Sequence, residues 1–326
     1  MTGPEPAAVI GFLGLGGMGA PMAGRLAAAG HQVRGYDTAP GTRARLAAGK
    51  HGVEVVDSAE QAVRGADTVV LMLPDSTAVD RALLGDGLIS RLEPGTLVID
   101  MGSSEPARTR ELAASAAGHG VSLMDAPVSG GVLGARQGTL TIMAGGTEEQ
   151  LAQAGPLLGV LGSKVTHVGP AGAGHALKSL NNLMSATHLL ITSEALLTGA
   201  AFGLDPATML EAVNGSSGRS GSTEVKWPRF VLGRGFDSGF ALRLMLKDMR
   251  TATGLAAATG TPSVLGEAAV ALWESAAGRL PLDADHTEIV RWLEESRERA
   301  EQEEHDNAEA DELRRPADAS TEGGPS

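Results

Sequence analysis

The sequence has no cysteine, an aromatic fraction of only 3% and just five lysines. Without cysteine, disulfide frameworks, thiolate nucleophiles and cysteine metal sites are excluded, and we expect a reducing, cytoplasmic location. The net charge of −13 argues against nucleic acid and anionic membranes as partners, because both would repel an acidic protein. The length of 326 residues predicts about two domains, each with its own core.

The sequence also lacks an apolar run that fits a bilayer. The uncharged stretch from Pro6 to Gly24 contains six glycines and two prolines, and no basic region precedes it as in a signal peptide. The stretch from Leu180 to Ser193 has only 14 residues, and polar side chains interrupt it. We therefore expect no membrane span and no membrane partner.

Short runs rich in Val, Ile and Leu alternate with helical stretches as far as Val168. This alternation is typical of a parallel sheet covered by helices. The predicted strands are Ala8–Leu13, Gln32–Tyr36, Val53–Val55, Thr68–Leu73, Leu97–Asp100, Ser122–Asp125, Leu140–Ala144 and Lys164–Val168. From Gly172 onward helices dominate, and the predicted helices are Ala173–Phe202, Pro206–Val213, Thr223–Leu232, Phe240–Thr259, Pro262–Ala277 and Asp285–Ser296.

These patterns predict an α/β domain over residues 1–169, an all-α domain over 170–296 and an acidic disordered tail over 297–326. From residue 294 to the end there are 12 acidic residues, four arginines and a single large apolar residue, Leu313. The helix Ala173–Phe202 would be about 45 Å long, so we expect it to run across the domain junction, with a break near Ser185 as the alternative. The apolar helices Leu183–Leu197 and Pro262–Ala277 predict packing against another subunit, in a homodimer or homotetramer.

A glycine-rich turn follows the first predicted strand. It reads Gly14-Leu15-Gly16-Gly17-Met18-Gly19 and contains the pattern G-x-G-x-x-G. The pattern alone is weak in a chain with 45 glycines, but a strand precedes it, the predicted helix Ala20–Ala29 follows, and Asp37 ends the next strand. Such glycines let the backbone and the helix N-terminus approach a pyrophosphate, and the acidic residue binds ribose. We therefore predict a Rossmann-type domain that binds a dinucleotide through residues 14–19 and Asp37.

Asp37 also favours NAD over NADP. A carboxylate there would repel the 2′-phosphate of NADP and accept hydrogen bonds from the free hydroxyl of NAD. NADP stays the alternative, because Arg43 and Arg45 are near enough in sequence to reach a 2′-phosphate if Asp37 turned away.

Three later segments carry the candidate chemistry. They are Asp125-Ala126-Pro127-Val128-Ser129-Gly130-Gly131, Gly169–Gly174 leading to Lys178 and Asn182, and Lys247-Asp248. The second has the spacing G-x-x-G-x-G-x-x-x-K-x-x-x-N, which is specific in a chain with five lysines and four asparagines.

The lysine and asparagine of the second segment would project from one face of a helix, one turn apart. A carbonyl that receives hydride must gain a proton, and a hydroxyl that loses hydride must give one up, so the chemistry needs a group of tunable pKa. Lysine can serve once desolvation lowers its pKa, whereas arginine cannot. Ser129, Gly130 and Gly131 offer backbone N–H groups and a hydroxyl that suit a carboxylate.

Together these segments resemble the β-hydroxyacid dehydrogenase family, which includes 3-hydroxyisobutyrate dehydrogenase and tartronate semialdehyde reductase, over residues 8 to 296. The resemblance implies that Lys178 is the general acid/base, that Asn182 orients substrate and lysine, and that Lys247 and Asp248 close the site near the nicotinamide. Ser104 departs from the family by replacing a threonine. The candidate substrate-binding residues are Ser129, Gly130, Gly131, Phe240 and Asp248, and the candidate cofactor-binding residues beyond the glycine turn are Asp37, Leu73, Pro74, Ser103, Ser104 and Lys247.

The predicted reaction is oxidation of a small 3-hydroxy acid with NAD, or the reverse reduction of a semialdehyde, in a cleft between the domains. Arg219, in a polar loop, would pair with a second anionic group or only brace the loop. His175, His188 and His286 have no metal-ligand spacing, so we expect no metal. Two alternatives are an imine reductase, in which an acid or tyrosine usually replaces the lysine and NADPH is favoured, and a catalytically silent cofactor-binding scaffold.

Overall fold

The computed structural model describes residues 8–49 and 51–296, in which an α/β part is followed by a helical part. The predicted tail, 297–326, lies outside these residues. The strands are β1 Val9–Leu13, β2 Gln32–Tyr36, β3 Glu54–Val55, β4 Thr68–Leu71, β5 Leu97–Asp100, β6 Ser122–Asp125, β7 Val128–Ser129, β8 Leu140–Gly145 and β9 Gly162–Gly169. The helices are α1 Gly19–Ala28, α2 Pro40–Ala47, α3 Ala59–Val63, α4 Ser76–Asp80, α5 Pro106–Ala117, α6 Gly131–Gln137, α7 Glu148–Leu161, α8 Ala173–Phe202, α9 Pro206–Asn214, α10 Leu242–Thr259 and α11 Val264–Ala277.

The strands form one sheet in the order β3-β2-β1-β4-β5-β6-β8-β7, with β9 paired to β8. Neighbouring strands from β3 to β6 are parallel. All residues of β4 and β5 are buried, which explains why these strands read as continuous apolar runs rather than as alternating patterns. The carboxyl ends of the parallel strands therefore meet at one edge, where a ligand is expected.

The sheet departs from the predicted parallel pattern at its far side. Strand β8 runs antiparallel to β6 and to β7, a two-residue strand that the sequence pattern missed. The helix between β7 and β8 has only seven residues, so it advances the chain by about 10 Å. This is too short to return the chain to the start of a strand that is about 20 Å long. The chain turns back instead, and β8 runs the other way.

The helical part follows the predicted order with shifted boundaries. Helix α8 covers all 30 predicted residues and is not broken at Ser185. The predicted helix Thr223–Leu232 is a π-helical segment over Ser222–Val231, with Pro228 inside it. Helix α10 begins at Leu242 rather than at Phe240, because the preceding Ala241 forms a β-bridge with Asp285. The last predicted helix starts with a 3₁₀ turn at His286–Glu288 and continues as an α-helix over 289–296.

Two hydrophobic clusters pack in the α/β part, and a third, which includes Trp227 and the fully buried Trp273, fills the helical part. Helix α8 contacts β8, β9 and α5 as well as α10, so it links the two parts. The predicted fold class, a Rossmann-type α/β domain followed by an all-α domain, is confirmed. Residue 169 as a domain boundary stays a prediction. Among the described helices, none is long and apolar enough for a membrane span.

Candidate active site

The glycine turn lies between β1 and α1, as predicted. Gly14 has φ = 96°, and a Cβ atom there would lie 2.3 Å from the carbonyl oxygen of Met72. A Cβ on Gly19 would lie 1.9 Å from the carbonyl oxygen of Gly14, so only glycine lets the helix start this close to the strand. A Cβ on Gly16, by contrast, would point into open space and meet no atom of another residue within 4 Å, its two chain neighbours aside.

The backbone N–H groups of residues 16–19 donate no hydrogen bond to any other group of the described chain. They sit at the N-terminus of α1, where the helix dipole favours negative charge. The open space at Gly16 and the free donors fit the pyrophosphate of a dinucleotide.

Asp37 follows β2 directly and is held in place by two backbone groups. Its Oδ2 accepts a hydrogen bond from the Leu15 N–H at 2.8 Å, and its Oδ1 accepts one from the Ala39 N–H at 2.8 Å. The carboxylate is therefore fixed beside the glycine turn, where a ribose is expected. Arg43 lies next to it, since its Nη1 donates to the Asp37 carbonyl at 2.5 Å and its guanidinium stacks 5.3 Å from the Tyr36 ring centre.

The predicted carboxylate turn lies beside the glycine turn. Gly130 and Gly131 have φ values of 130° and 62°, a conformation that side-chain-bearing residues rarely adopt. Within residues 8–49 and 51–296, the Ser129 hydroxyl and the N–H groups of Gly130 and Gly131 have no hydrogen-bond partner. A Cβ on Gly17 would lie 3.8 Å from Val132, so the two sets of free donors are close together.

Helix α8 begins against the edge of the sheet, and glycine makes this contact possible. A Cβ on Gly174 would lie 2.2 Å from the carbonyl oxygen of Met143 and 3.0 Å from Pro127 Cδ. A Cβ on Gly172 would lie 2.6 Å from the carbonyl oxygen of Pro106. The spaced glycines of the motif therefore bring the first turn of α8 onto the sheet, with Lys178 one turn further along.

Asp125, at the end of β6, accepts hydrogen bonds from the first turn of α8. Its carboxylate receives the N–H of Gly172 at 2.7 Å and the N–H of His175 at 2.8 Å, and it is completely buried. Burial raises the pKa of Asp125, while the neighbouring His175 opposes that shift. The carboxylate acts as a helix cap contributed by the other part of the molecule.

Lys178 lies on α8 with its ammonium group free. In the described chain it has no hydrogen bond and no ion pair, although Asp248 and Lys247 are near enough to act on its charge. Burial lowers the pKa of Lys178, and Asp248 partly opposes this effect. A desolvated amine without an internal partner is the arrangement that proton transfer to a ligand needs.

Asp248, on α10, contacts three other predicted residues. It is 2% exposed. Its Oδ2 accepts a hydrogen bond from Asn182 Nδ2 at 2.6 Å, and its Oδ1 accepts one from the Ser103 hydroxyl at 2.7 Å and lies 3.1 Å from Lys247 Nζ. The structure thus places Asp248 behind Asn182, where it fixes the orientation of the Asn182 amide.

Lys247 joins the helical part to two loops of the sheet. Its ammonium donates to the carbonyl oxygens of Pro74, at 3.0 Å, and of Ser103. The neighbouring Leu73 has its Cδ2 atom 3.2 Å from the position that a Gly14 Cβ would take. The candidate cofactor residues of these loops are therefore brought together next to the glycine turn.

Two predicted residues lie differently from the others. The Ser104 hydroxyl donates to Asp100 Oδ2 at 2.7 Å and is buried, so it supports the loop after β5. Phe240 packs edge-on against His286, with ring centres 5.8 Å apart, and against the helical core. The role of Phe240 toward a substrate stays a prediction.

Sequence reasoning assigned no role to a buried cluster below Lys178. The His175 ring lies between two carboxylates, with Nδ1 3.7 Å from Asp125 and Nε2 3.8 Å from Asp100, and Thr109 hydrogen-bonds to Nδ1 at 2.8 Å. The carboxylates lie at opposite ring nitrogens, so they do not converge on one point. No group of His, Asp and Glu side chains in the described ranges is arranged to hold a metal ion. The sequence feature that could have indicated this cluster is an Asp at the end of β6, just before a glycine-rich turn.

Two protein families match most of the chain. The family described as the NAD binding domain of 6-phosphogluconate dehydrogenase matches residues 9–169. The family described as NAD-binding of NADP-dependent 3-hydroxyisobutyrate dehydrogenase matches residues 172–293.

Similar proteins match over most of their length. A 3-hydroxyisobutyrate dehydrogenase of Pseudomonas aeruginosa is 40% identical over 284 residues, which are 85% of this chain and 94% of that protein. An NAD-dependent L-serine dehydrogenase of the same species is 39% identical over 81% of this chain and 90% of its own. The structure of Mycobacterium tuberculosis 3-hydroxyisobutyrate dehydrogenase with L-serine superposes with a TM-score of 0.82 at 37% identity, over 88% of this chain and 99% of that one. The chain therefore belongs to the β-hydroxyacid dehydrogenase family of NAD(P)-dependent oxidoreductases.

Proposed function

We propose that this protein oxidises a small 3-hydroxy acid with NAD, or reduces the corresponding semialdehyde, and that Lys178 is its general acid/base. The observation that carries this proposal is the free, desolvated ammonium group of Lys178 beside Asn182, whose amide is held by Asp248. Arginine could not replace this group, because its pKa is too high for proton exchange.

The free donors suggest how the substrate is held. The Ser129 hydroxyl and the N–H groups of Gly130 and Gly131 bind its carboxylate, and the Asn182 amide orients its hydroxyl. The nicotinamide of the bound cofactor supplies the hydride acceptor. During oxidation the neutral amine of Lys178 takes the hydroxyl proton while hydride leaves the carbon that bears this hydroxyl. During reduction the ammonium group of Lys178 donates a proton to the alkoxide oxygen.

A substrate panel tests this proposal. 3-Hydroxyisobutyrate, D- and L-glycerate, L-serine, L-threonate and 4-hydroxybutyrate are offered with NAD and NADP, and nicotinamide absorbance is recorded. We expect turnover of at least one 3-hydroxy acid. Absence of all turnover, together with reduction of a cyclic imine by NADPH, would favour the imine reductase alternative, and inactivity in both assays would favour the scaffold.

Asp37 provides a test of cofactor choice. We expect NAD to bind at least tenfold more tightly than NADP, because a bidentate charged contact to ribose is worth roughly 1.5 to 3 kcal/mol. Asp37→Ser should reduce the difference between the NAD and NADP affinities. The carboxylate that repels the 2′-phosphate of NADP would be absent, and the neighbouring Arg43 could bind this phosphate. Titration calorimetry measures both affinities, and tighter NADP binding by the unaltered protein would contradict the assignment.

We further propose that the protein is a cytoplasmic homodimer or homotetramer. The exposed side chains of Leu177, Leu180, Met184 and Ile191 recur at helical spacing and form one apolar stripe along α8. Such a stripe suits the self-complementary contact of a symmetric dimer.

A charged residue introduced into the apolar stripe of α8 tests whether this stripe is the interface of an oligomer. Met184→Glu should shift the protein toward monomers in size-exclusion chromatography with light scattering, because Met184 is 60% exposed in the single chain. Leu282→Glu, on an exposed apolar residue outside the stripe, is the matched control. An unchanged mass for Met184→Glu would argue against this interface.

A further inference from the structure

Lys226 is a second lysine beside the catalytic helix. It lies in the π-helical segment Ser222–Val231, and its ammonium donates hydrogen bonds to the carbonyl oxygen of Ser185 at 3.1 Å and to the Ser185 hydroxyl at 2.8 Å. Ser185 follows Lys178 by seven residues on α8, so it lies two turns further along the same face, about 10 Å away along the axis. Lys226 is therefore held on the side of α8 that carries Lys178 and Asn182.

The charge of Lys226 has no paired carboxylate. No acidic oxygen of the described chain lies within 4 Å of its ammonium group. The Asp285 carboxylate acts on this charge from a distance beyond 4 Å, and it accepts hydrogen bonds from Ser238, Gly239 and Thr287. Burial lowers the pKa of Lys226 to about 8. A largely desolvated cation without a counter-ion is unfavourable in the free protein, so an anion bound there would be stabilised.

Lys226 and Ser185 also have hydrogen-bond donors that no group of the described chain accepts. A lysine ammonium has three N–H donors, and Ser185 accepts two of them. The Ser185 hydroxyl accepts from Lys226 but donates to no group in residues 8–49 and 51–296. One N–H of Lys226 and the O–H of Ser185 thus remain, and two neighbouring donors with a positive charge suit the two oxygens of a carboxylate.

Arg219, the residue that the sequence suggested for a second anionic group, is placed differently. Its side chain is 62% exposed, and its Nε atom lies 3.4 Å from Glu224 Oε1. Arg219 thus pairs within its own segment of the chain. Lys226, by contrast, has no carboxylate oxygen within 4 Å among the described residues.

We propose that Lys226 and Ser185 form a distal anion subsite, which selects 3-hydroxy acids carrying a second carboxylate at the end of the C2 substituent. This proposal rests on the proposed function, because it assumes that the 3-hydroxyl group meets Lys178. A chain of four or five carbons, with a hydrogen bond of about 3 Å at each end, bridges the separation along α8. The first carboxylate would still bind at Ser129, Gly130 and Gly131.

A pair of substrates of equal shape tests the subsite in the unaltered enzyme. 2-(Hydroxymethyl)glutarate carries the distal carboxylate, and its 5-carboxamide replaces that group by a neutral one. We expect kcat/KM with NAD to be at least tenfold higher for the diacid. Equal values for the two compounds would overturn the subsite but leave the proposed function intact, whereas turnover of neither compound, nor of any 3-hydroxy acid in the panel, would overturn both.

Variants test whether Lys226 and Ser185 cause the preference for the diacid. Lys226→Gln should reduce the diacid-to-amide ratio of kcat/KM at least fivefold, Lys226→Arg should retain part of it, and Ser185→Ala should lower it by a smaller factor. Arg219→Gln is the control and should keep the ratio of the unaltered enzyme. An unchanged ratio in Lys226→Gln would overturn the proposal, and so would equal losses for both substrates. If Lys226→Gln fails to fold, the ratio in Ser185→Ala decides in its place.

Discussion

Replacing Lys178 with arginine is expected to lower kcat by about 10²- to 10⁴-fold. The substitution keeps the positive charge and most of the side-chain length, so the fold and NAD affinity should change little. Arginine cannot exchange a proton at neutral pH, however, so the substrate hydroxyl would lack a proton acceptor during oxidation and the alkoxide would lack a proton donor during reduction. Steady-state kinetics and NAD titration on the same preparation measure the two effects separately.

The pH profile gives the same prediction a second readout. Oxidation requires the neutral amine, so kcat for oxidation should rise as pH increases through the pKa of Lys178. Because burial lowers that pKa, the rise in kcat should occur at a lower pH than the usual pKa of lysine. The reverse reduction requires the ammonium and should show the opposite slope. In the arginine variant both slopes should disappear from the residual activity.

A further variant separates proton transfer from positioning. Lys178→Ala should lose activity to a similar extent, and an added small amine should restore part of it. If the arginine variant kept more than about a tenth of the activity with its pH profile intact, Lys178 would be a positioning charge and another group would carry the proton.

Replacing Gly174 with alanine is expected to cost at least about 10²-fold in kcat and several degrees in melting temperature. The new methyl group would lie 2.2 Å from the Met143 carbonyl oxygen and 2.8 Å from Asp125 Oδ2. Backbone atoms cannot turn aside as a flexible side chain can, so the first turn of α8 must shift away from the sheet. That shift would move Lys178 relative to the cofactor and the carboxylate turn, and displacements of about 1 Å have costs of this size.

Gly254 offers a matched control on another helix. It is exposed in α10, and a Cβ atom there would meet nothing within 4 Å. Gly254→Ala should therefore be neutral or stabilise the protein by up to about 1 kcal/mol, because alanine is the better helix former. Thermal unfolding and kinetics of both variants compare the same chemical change with and without the clash. A Gly174→Ala enzyme with unaltered kinetics would show that α8 tolerates the shift.

The parts of the molecule that the sequence predicted well have strong local patterns. The 30 residues of α8 were predicted without error, because Gly172 precedes it, Gly203 follows it and no proline interrupts it. The glycine turn was equally clear, since strand, glycines and helix occur in the required order. The direction of β8 was not predictable in this way. It depends on the short length of α6, and the sequence pattern does not show where that helix ends.

The connections between distant residues were also beyond the sequence patterns. The helical period shows that Lys178, Asn182 and Ser185 share a face, but it does not show which segment meets that face. Asp248 lies 66 positions from Asn182, and Lys226 lies 41 positions from Ser185. Only folding brings these pairs together. The family resemblance supplied the role of Asp248, whereas its position behind Asn182 came from the structure.

The cap that Asp125 places on α8 affects how members of this family can be recombined. Its hydrogen bonds to Gly172 and His175 cross the point where the α/β part and the helical part join along the chain. A chimera spliced at residue 169 takes the carboxylate from one parent and the helix start from the other. The two halves would then have to match in the geometry of one buried acid. A splice placed after the first turn of α8 keeps the acid and its partners from a single parent, so the natural unit of exchange includes the beginning of α8.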